Sequence, residues 1–167
     1  MTEYMKGGSL DRMVSKGGLF RQKTSKLSVN SCKYVLSCVA KGLAAMHLRK
    51  NKILHRDIKL ANIVMNDNGD IKLIDLGYAV SLNKEKNYRK TGCGTTLSLS
   101  PEIVNKKPYS IEVDIWALGI VAYQLAMIDA PYHSMETNID WVMNVMKKGD
   151  DQRILDITKE RPDEEQF

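Results

Sequence analysis

The residues best equipped for chemistry lie in one stretch, Ile53 to Gly77, which reads ILHRDIKLANIVMNDNGDIKLIDLG. Asp57, Lys59 and Asn62 stand at offsets of two and five, and Asp75 follows Asp57 by eighteen residues. A carboxylate can orient a nucleophile and accept its proton, and an ammonium can neutralise a neighbouring anion. Carboxylate and amide oxygens also suit a hard cation.

Other sources of chemistry are weaker. The cluster Asn66-Asp67-Asn68-Gly69 superficially resembles a calcium loop, but setting Gly69 at the sixth position puts Val64 first, where a carboxylate is required. Gly92-Cys93-Gly94 has Leu97 where a nucleotide loop needs its third glycine, and no strand-to-helix context surrounds it. Cys32, Cys38 and Cys93 form no CxxC pair and no metal-ligand spacing, which favours reduced, intracellular thiols. The net charge of +5 is spread over scattered lysines without interleaved aromatics, so it reads as solvated surface and not as a nucleic-acid footprint. No segment has the length and apolarity of a membrane span, and the N-terminus lacks a signal-peptide pattern.

A chain of 167 residues with 43% apolar content can build one compact core. Met1 to Arg12 reads as a short strand ending at Gly7-Gly8, then a helix starting near Ser9-Leu10. From Ser28 to Lys50, Val35, Val39, Leu43 and Met46 recur at helical spacing and predict one buried face. His47, near the end of that helix, reads as a packing or capping residue. Ile63 to Met65 and Ile71 to Ile74 flank the Asn/Asp/Gly cluster and predict a hairpin. Residues 112–127 are apolar nearly all round, the mark of a buried helix. A further amphipathic helix is predicted over 137–148, with Ile139, Val142, Met143 and Met146 as its apolar face.

The HRDIKxxN pattern followed by IKLIDLG resembles the catalytic loop and metal-binding motif of eukaryotic protein kinases. That resemblance implies an α+β, mainly α-helical fold: the large, C-terminal kinase lobe with short β-hairpins. It makes Asp57 the catalytic base, places Lys59 on the γ-phosphate of ATP, and gives Asn62 and Asp75 to Mg²⁺. Arg56 would receive a phosphate carried by the activation segment, as Arg does well through bidentate contacts. His55 and Leu76 would belong to an apolar spine beneath the site. Leu76 departs from the usual Phe, giving DLG for DFG, and Leu60 replaces the common Pro after the lysine. Met1 to Arg12 would be the hinge: Thr2 at the gatekeeper position, Glu3 and Met5 offering backbone to the adenine, and Ser9 near the ribose, with Val64 also lining the nucleotide site. Val39-Ala40-Lys41 resembles the ATP-lysine motif, but it lies after the hinge and on a helix, so Lys41 reads as a surface residue.

Residues 78–102 fit an activation segment ending in Ser100-Pro101-Glu102. The resemblance makes Gly94-Thr95 the start of the substrate-docking loop, with Thr95 bridging towards Asp57 and Lys59. Thr91 takes the phosphorylation position, where a phosphate adds roughly −1.5 to −2 charge. Asp114 would bond the backbone of the HRD loop, and Glu102 would pair with an Arg further on, Arg161 being one candidate. GGSLD, SPE and DIWALG together look closest to the MAP kinase kinases and related STE-group kinases, which adds Tyr as an acceptor beside Ser/Thr. Asn87 occupies that group's first activation site, a departure from its two-site activation. Ala61 stands where basophilic kinases often carry an acidic residue, so the sequence does not support a basic-site preference.

The resemblance covers almost all 167 residues but only part of the kinase domain, incomplete at both ends. The sequence holds no G-x-G-x-x-G-x-V loop, no strand-borne ATP lysine and no partnering helix Glu, the parts that cover and pair with the ATP phosphates. It therefore implies an ATP- and Mg²⁺-dependent protein kinase whose large lobe alone transfers phosphate poorly or not at all. Implied partners are a protein substrate and an upstream activating kinase, in the cytoplasm or also the nucleus. The rival reading is a non-catalytic kinase-like binding module or scaffold, against which the intact Asp57, Lys59, Asn62 and Asp75 argue.

Overall fold

The computed structural model describes residues 3–14, 27–83 and 88–127. The helix predicted over 137–148, together with Thr2, Asn87 and Arg161, lies outside the described residues.

Two helices meet around the main core. Helix α2 (Val29–His47) starts at Ser28, whose hydroxyl accepts from the Ser31 amide at 3.1 Å. That bond satisfies one of the unpaired donors of the first turn. Its stripe of Val35, Val39 and Leu43 is buried as its spacing predicts, but the fourth buried position is His47 and not Met46. Helix α4 (Glu112–Met127) packs Ala117, Val121 and Leu125 against that stripe. Burial of α4 is one-sided: Ile115 is 54% exposed and Gly119 is open. Apolar composition all round therefore does not mark complete burial here, because among the described residues α2 covers a single side of the helix.

The strands are short. Strands β3 (Ile63–Met65) and β4 (Ile71–Leu73) form the predicted hairpin, pairing Ile63 with Leu73 and Met65 with Ile71. Gly69 closes the turn at φ 84°, and the Asn66 side chain accepts from the amides of Asn68 and Asp70. This is turn chemistry. The first strand, β1 (Gly8–Ser9), runs straight into helix α1 (Leu10–Val14) and adds to the hairpin's other edge, setting Ser9 opposite Val64. Gly7 permits this approach: a Cβ there would lie 2.6 Å from the Met65 carbonyl oxygen. Strands β2 (Ile53–Leu54) and β5 (Val80–Ser81) pair separately. Among the described residues one of the expected short hairpins is a hairpin, and the remaining pairings join distant segments.

A second core of Leu54, Leu82, Leu99, Ile103, Tyr109 and Val113 sits beneath β2, the short helix α3 (Pro101–Val104) and the start of α4. Among the described residues no helix is long and apolar enough to cross a membrane.

Candidate active site

The loop between β2 and β3 is anchored from below. Ile58 and Leu60 are buried in the main core, and Lys59 between them is extended, at φ −161° and ψ 163°. Successive side chains of an extended segment point oppositely, so burying Ile58 and Leu60 turns Lys59 outward. A 3₁₀ turn over Leu60–Asn62 then folds Asn62 back onto Asp57. The Asn62 amide nitrogen donates to the Asp57 carbonyl at 2.8 Å and to Asp57 Oδ2 at 2.9 Å.

The segment carrying Gly94 and Thr95 closes on the same carboxylate. Thr95 Oγ1 donates to Asp57 Oδ1 at 2.8 Å and accepts from Lys59 Nζ at 2.9 Å, while Lys59 Nζ lies 2.8 Å from Asp57 Oδ2. Gly94 makes that approach possible: its φ is 111°, and a Cβ there would sit 2.7 Å from the Arg56 carbonyl oxygen. Burial pushes the Asp57 carboxyl up. Hydrogen bonds from Lys59, Thr95 and Asn62, with the Lys59 charge, outweigh burial and hold it below the usual carboxylate range. A buried, ionised carboxylate so held can orient a hydroxyl and take its proton.

Asp75 stands beside this loop because the Ile74 amide donates to the Asn62 carbonyl at 3.0 Å. Its backbone is left-handed at φ 62°, which Asp tolerates better than most residues. Its Oδ1 accepts from the Gly77 amide at 3.1 Å, and the residue is solvent-exposed. Asn62, whose side-chain nitrogen is committed to Asp57, keeps its amide oxygen as an acceptor. Among the described residues no group of three or more His, Cys, Asp or Glu forms a metal cluster. A cation held by Asn62 and Asp75 would keep positions for water or phosphate, as Mg²⁺ favours.

Asp114 supports the loop from α4. Fully buried, it accepts from the His55 amide at 2.9 Å, the Arg56 amide at 2.8 Å and His47 Nε2 at 2.8 Å. Three donors on one buried carboxylate also fix Arg56 in its left-handed conformation, φ 66°. His47 is thus more than packing: it ties α2 to α4 and to the loop.

Other predicted positions are more scattered. Leu76 is not buried beside His55: it is 60% exposed at the mouth of a groove lined by Val39, Gly42, Met46 and Leu73, whereas His55 is fully buried. The left-handed turn at Asp75 carries the next residue outward. Glu3 is exposed and pairs with Lys72, the Met5 carbonyl accepts from the Gly8 amide at 3.0 Å, and Ser9 donates to Asp11. Lys41 is exposed, as its surface reading requires. Thr91 is exposed and Glu102 half-buried in α3. Arg56 gives Nε to the Tyr78 carbonyl at 2.7 Å and Nη1 to the Tyr109 hydroxyl at 3.1 Å. The sequence reading missed Tyr109; its one signal was a large aromatic isolated in the polar run Lys106-Lys107-Pro108-Tyr109-Ser110.

Residues 1–166 match the family model described as "Protein kinase domain". Serine/threonine-protein kinase shk1/pak1 of Schizosaccharomyces pombe is 38% identical over 130 residues, 78% of this chain and 18% of that protein. Serine/threonine-protein kinase SKM1 of Saccharomyces cerevisiae is 37% identical over 134 residues, 78% of this chain and 20% of that protein. Serine/threonine-protein kinase pakA of Talaromyces marneffei is 38% identical over 130 residues, 78% of this chain and 19% of that protein. The chain thus spans about a fifth of the length of these relatives. They are of the Ste20/PAK type within the STE group, in line with the resemblance of GGSLD, SPE and DIWALG to MAP kinase kinases and related STE-group kinases. The chain belongs to the protein kinase domain family, among homologues of serine/threonine kinases.

Proposed function

We propose that this chain is the large-lobe half of a serine/threonine kinase site, transferring phosphate from Mg-ATP to hydroxyls of protein substrates. The observation that carries the reading is the Asp57 carboxylate, buried, ionised and held by Lys59, Asn62 and Thr95 at once. In this role Asp57 orients the substrate hydroxyl and accepts its proton. Lys59, already between Asp57 and Thr95, turns part of its ammonium to the γ-phosphate. Thr95 holds both in register with the docking loop.

Protein kinase domains use ATP and Mg²⁺ in general, and the donors present fit the ion: the Asn62 amide oxygen and the exposed Asp75 carboxylate are both oxygen ligands. Bound there, Mg²⁺ would neutralise charge on the transferring phosphate. Glu3, Met5, Ser9 and Val64 are assigned to the nucleotide side; Ser9 and Val64 face each other across the β1–β3 pair. Thr91 is assigned as the position phosphorylated by an upstream kinase, with Arg56 as receiver. The setting is cytoplasmic or nuclear. Ser/Thr is the acceptor class, by analogy with the relatives' names.

Because the 167 residues contain no Gly-rich phosphate loop and no strand-borne ATP lysine, transfer by this polypeptide alone is at most slow. The test is incubation of the purified chain with Mg-ATP and a protein substrate. Trace or undetectable incorporation is expected; robust transfer abolished by Asp57→Asn would overturn the inactive-alone claim.

A further inference from the structure

Tyr109 has no part in the site as read from sequence, yet it connects two regulatory elements. Its ring is 1% exposed, in the second core with Leu54, Leu82, Leu99, Ile103 and Val113. Its backbone makes a two-way bridge to Arg89 of the activation segment, at 2.9 and 2.8 Å. Its hydroxyl accepts from Arg56 Nη1 at 3.1 Å and donates to the Thr91 carbonyl at 2.6 Å. Thr91 is therefore two hydrogen bonds from the guanidinium that the catalytic loop presents. Arg56 is committed on its other side to the Tyr78 carbonyl, so the phenol completes its hold.

We propose that Tyr109 is a positioning residue whose hydroxyl stands in for an activation-segment phosphate, holding Arg56 and clamping the segment at Thr91 before Thr91 is modified. The inference rests on the assignment of Arg56 and Thr91 in the proposed function. A phenol hydroxyl can do this because it both accepts and donates. Arg56 needs an acceptor in front of its guanidinium, and the Thr91 carbonyl needs a donor. A phosphate on Thr91 brings stronger, charged acceptors to the same guanidinium and takes over from the phenol. Tyr78, Arg89 and Cys93 border the cluster, and all of these contacts lie among the described residues.

Tyr109→Phe keeps the buried ring and deletes the hydroxyl. Amide hydrogen exchange at Gly92–Thr95 is expected to accelerate about tenfold, the scale of one lost hydrogen bond. Amides of α2 and α4 should be unchanged. In a Thr91→Glu background, where a carboxylate is available to Arg56, the same change should accelerate exchange less than about twofold. A purely structural hydroxyl would cost the same in both backgrounds. Equal acceleration in both, or none in either, would overturn the proposal. If Tyr109→Phe loosens α2 and α4 as well, nitrogen-15 spectra of the unsubstituted chain decide: a restrained Arg56 guanidinium supports the clamp, and one that rotates freely overturns it. No arm reads phosphate transfer, so failure here leaves the assignment of Asp57 standing.

Discussion

The hydroxyl of Thr95 donates to Asp57 Oδ1 across 2.8 Å, although the two residues are 38 positions apart in the chain. This bond joins the segment at Gly94-Thr95 to the loop between β2 and β3 and helps keep the Asp57 carboxyl ionised against its burial. Thr95→Val should therefore raise the Asp57 pKa, since a donor to the charged form is lost while desolvation remains. Carbon-13 titration of the Asp57 carboxyl is the check; an unchanged midpoint would mean that Lys59 and Asn62 suffice.

The same shift has a consequence for acid stability. The Asp57 pKa is lowered in the folded state. Its contribution is thus fully present above the ordinary Asp value of about 3.9 and is lost as pH falls through the lowered folded value. Unfolding curves between roughly pH 5 and pH 2 should show Asp57→Asn losing less stability than the parent over that window. Parallel curves would contradict the assignment.

Gly94→Ala places a Cβ 2.7 Å from the Arg56 carbonyl oxygen at a backbone φ of 111°. Left-handed strain and the clash together should cost about 1–3 kcal/mol and withdraw Thr95 from Asp57. Thermal unfolding measures the first effect. Accelerated exchange of the amides near Thr95 measures the second.

Asp114→Ala leaves three donors, His47 Nε2 and the amides of His55 and Arg56, facing an emptied buried site. Leaving buried donors without their acceptor costs about 1–3 kcal/mol for each. Urea unfolding should show a much lower midpoint for Asp114→Ala. For His47→Gln the loss should be smaller, because the two backbone donors keep their acceptor.

What the sequence disclosed divides by range. The spacing of Asp57, Lys59, Asn62 and Asp75 is local, and so are the Val35, Val39, Leu43 stripe and the Asn66 to Gly69 turn; each was legible. The short strand before α1 was expected to end at Gly7-Gly8 and is found at Gly8–Ser9, whereas β2 was not legible, because two residues carry too little periodicity and it exists through pairing with distant β5. The role of Tyr109 was hidden for the same reason: Arg56 lies 53 residues away in sequence. His47 differed in another way, since a polar residue closing an apolar stripe shows its purpose only once Asp114, 67 residues on, supplies the acceptor. The exposure of Leu76 follows from a left-handed backbone at Asp75, which residue type allows but does not dictate.

The central claim is that Asp57 and its partners form the catalytic half of a phosphotransfer site. Its most direct test replaces the matching segment of the Schizosaccharomyces pombe kinase shk1/pak1 with this chain, so that the relative supplies the remainder of the domain. Incorporation of phosphate into a protein substrate from Mg-ATP is then measured with and without Asp57→Asn. Mg²⁺-dependent transfer to Ser or Thr is expected, falling by about 10²–10⁴-fold in the variant, the scale of a lost general base. A folded chimera that transfers no phosphate, or one that transfers equally well with Asn at position 57, would contradict the claim.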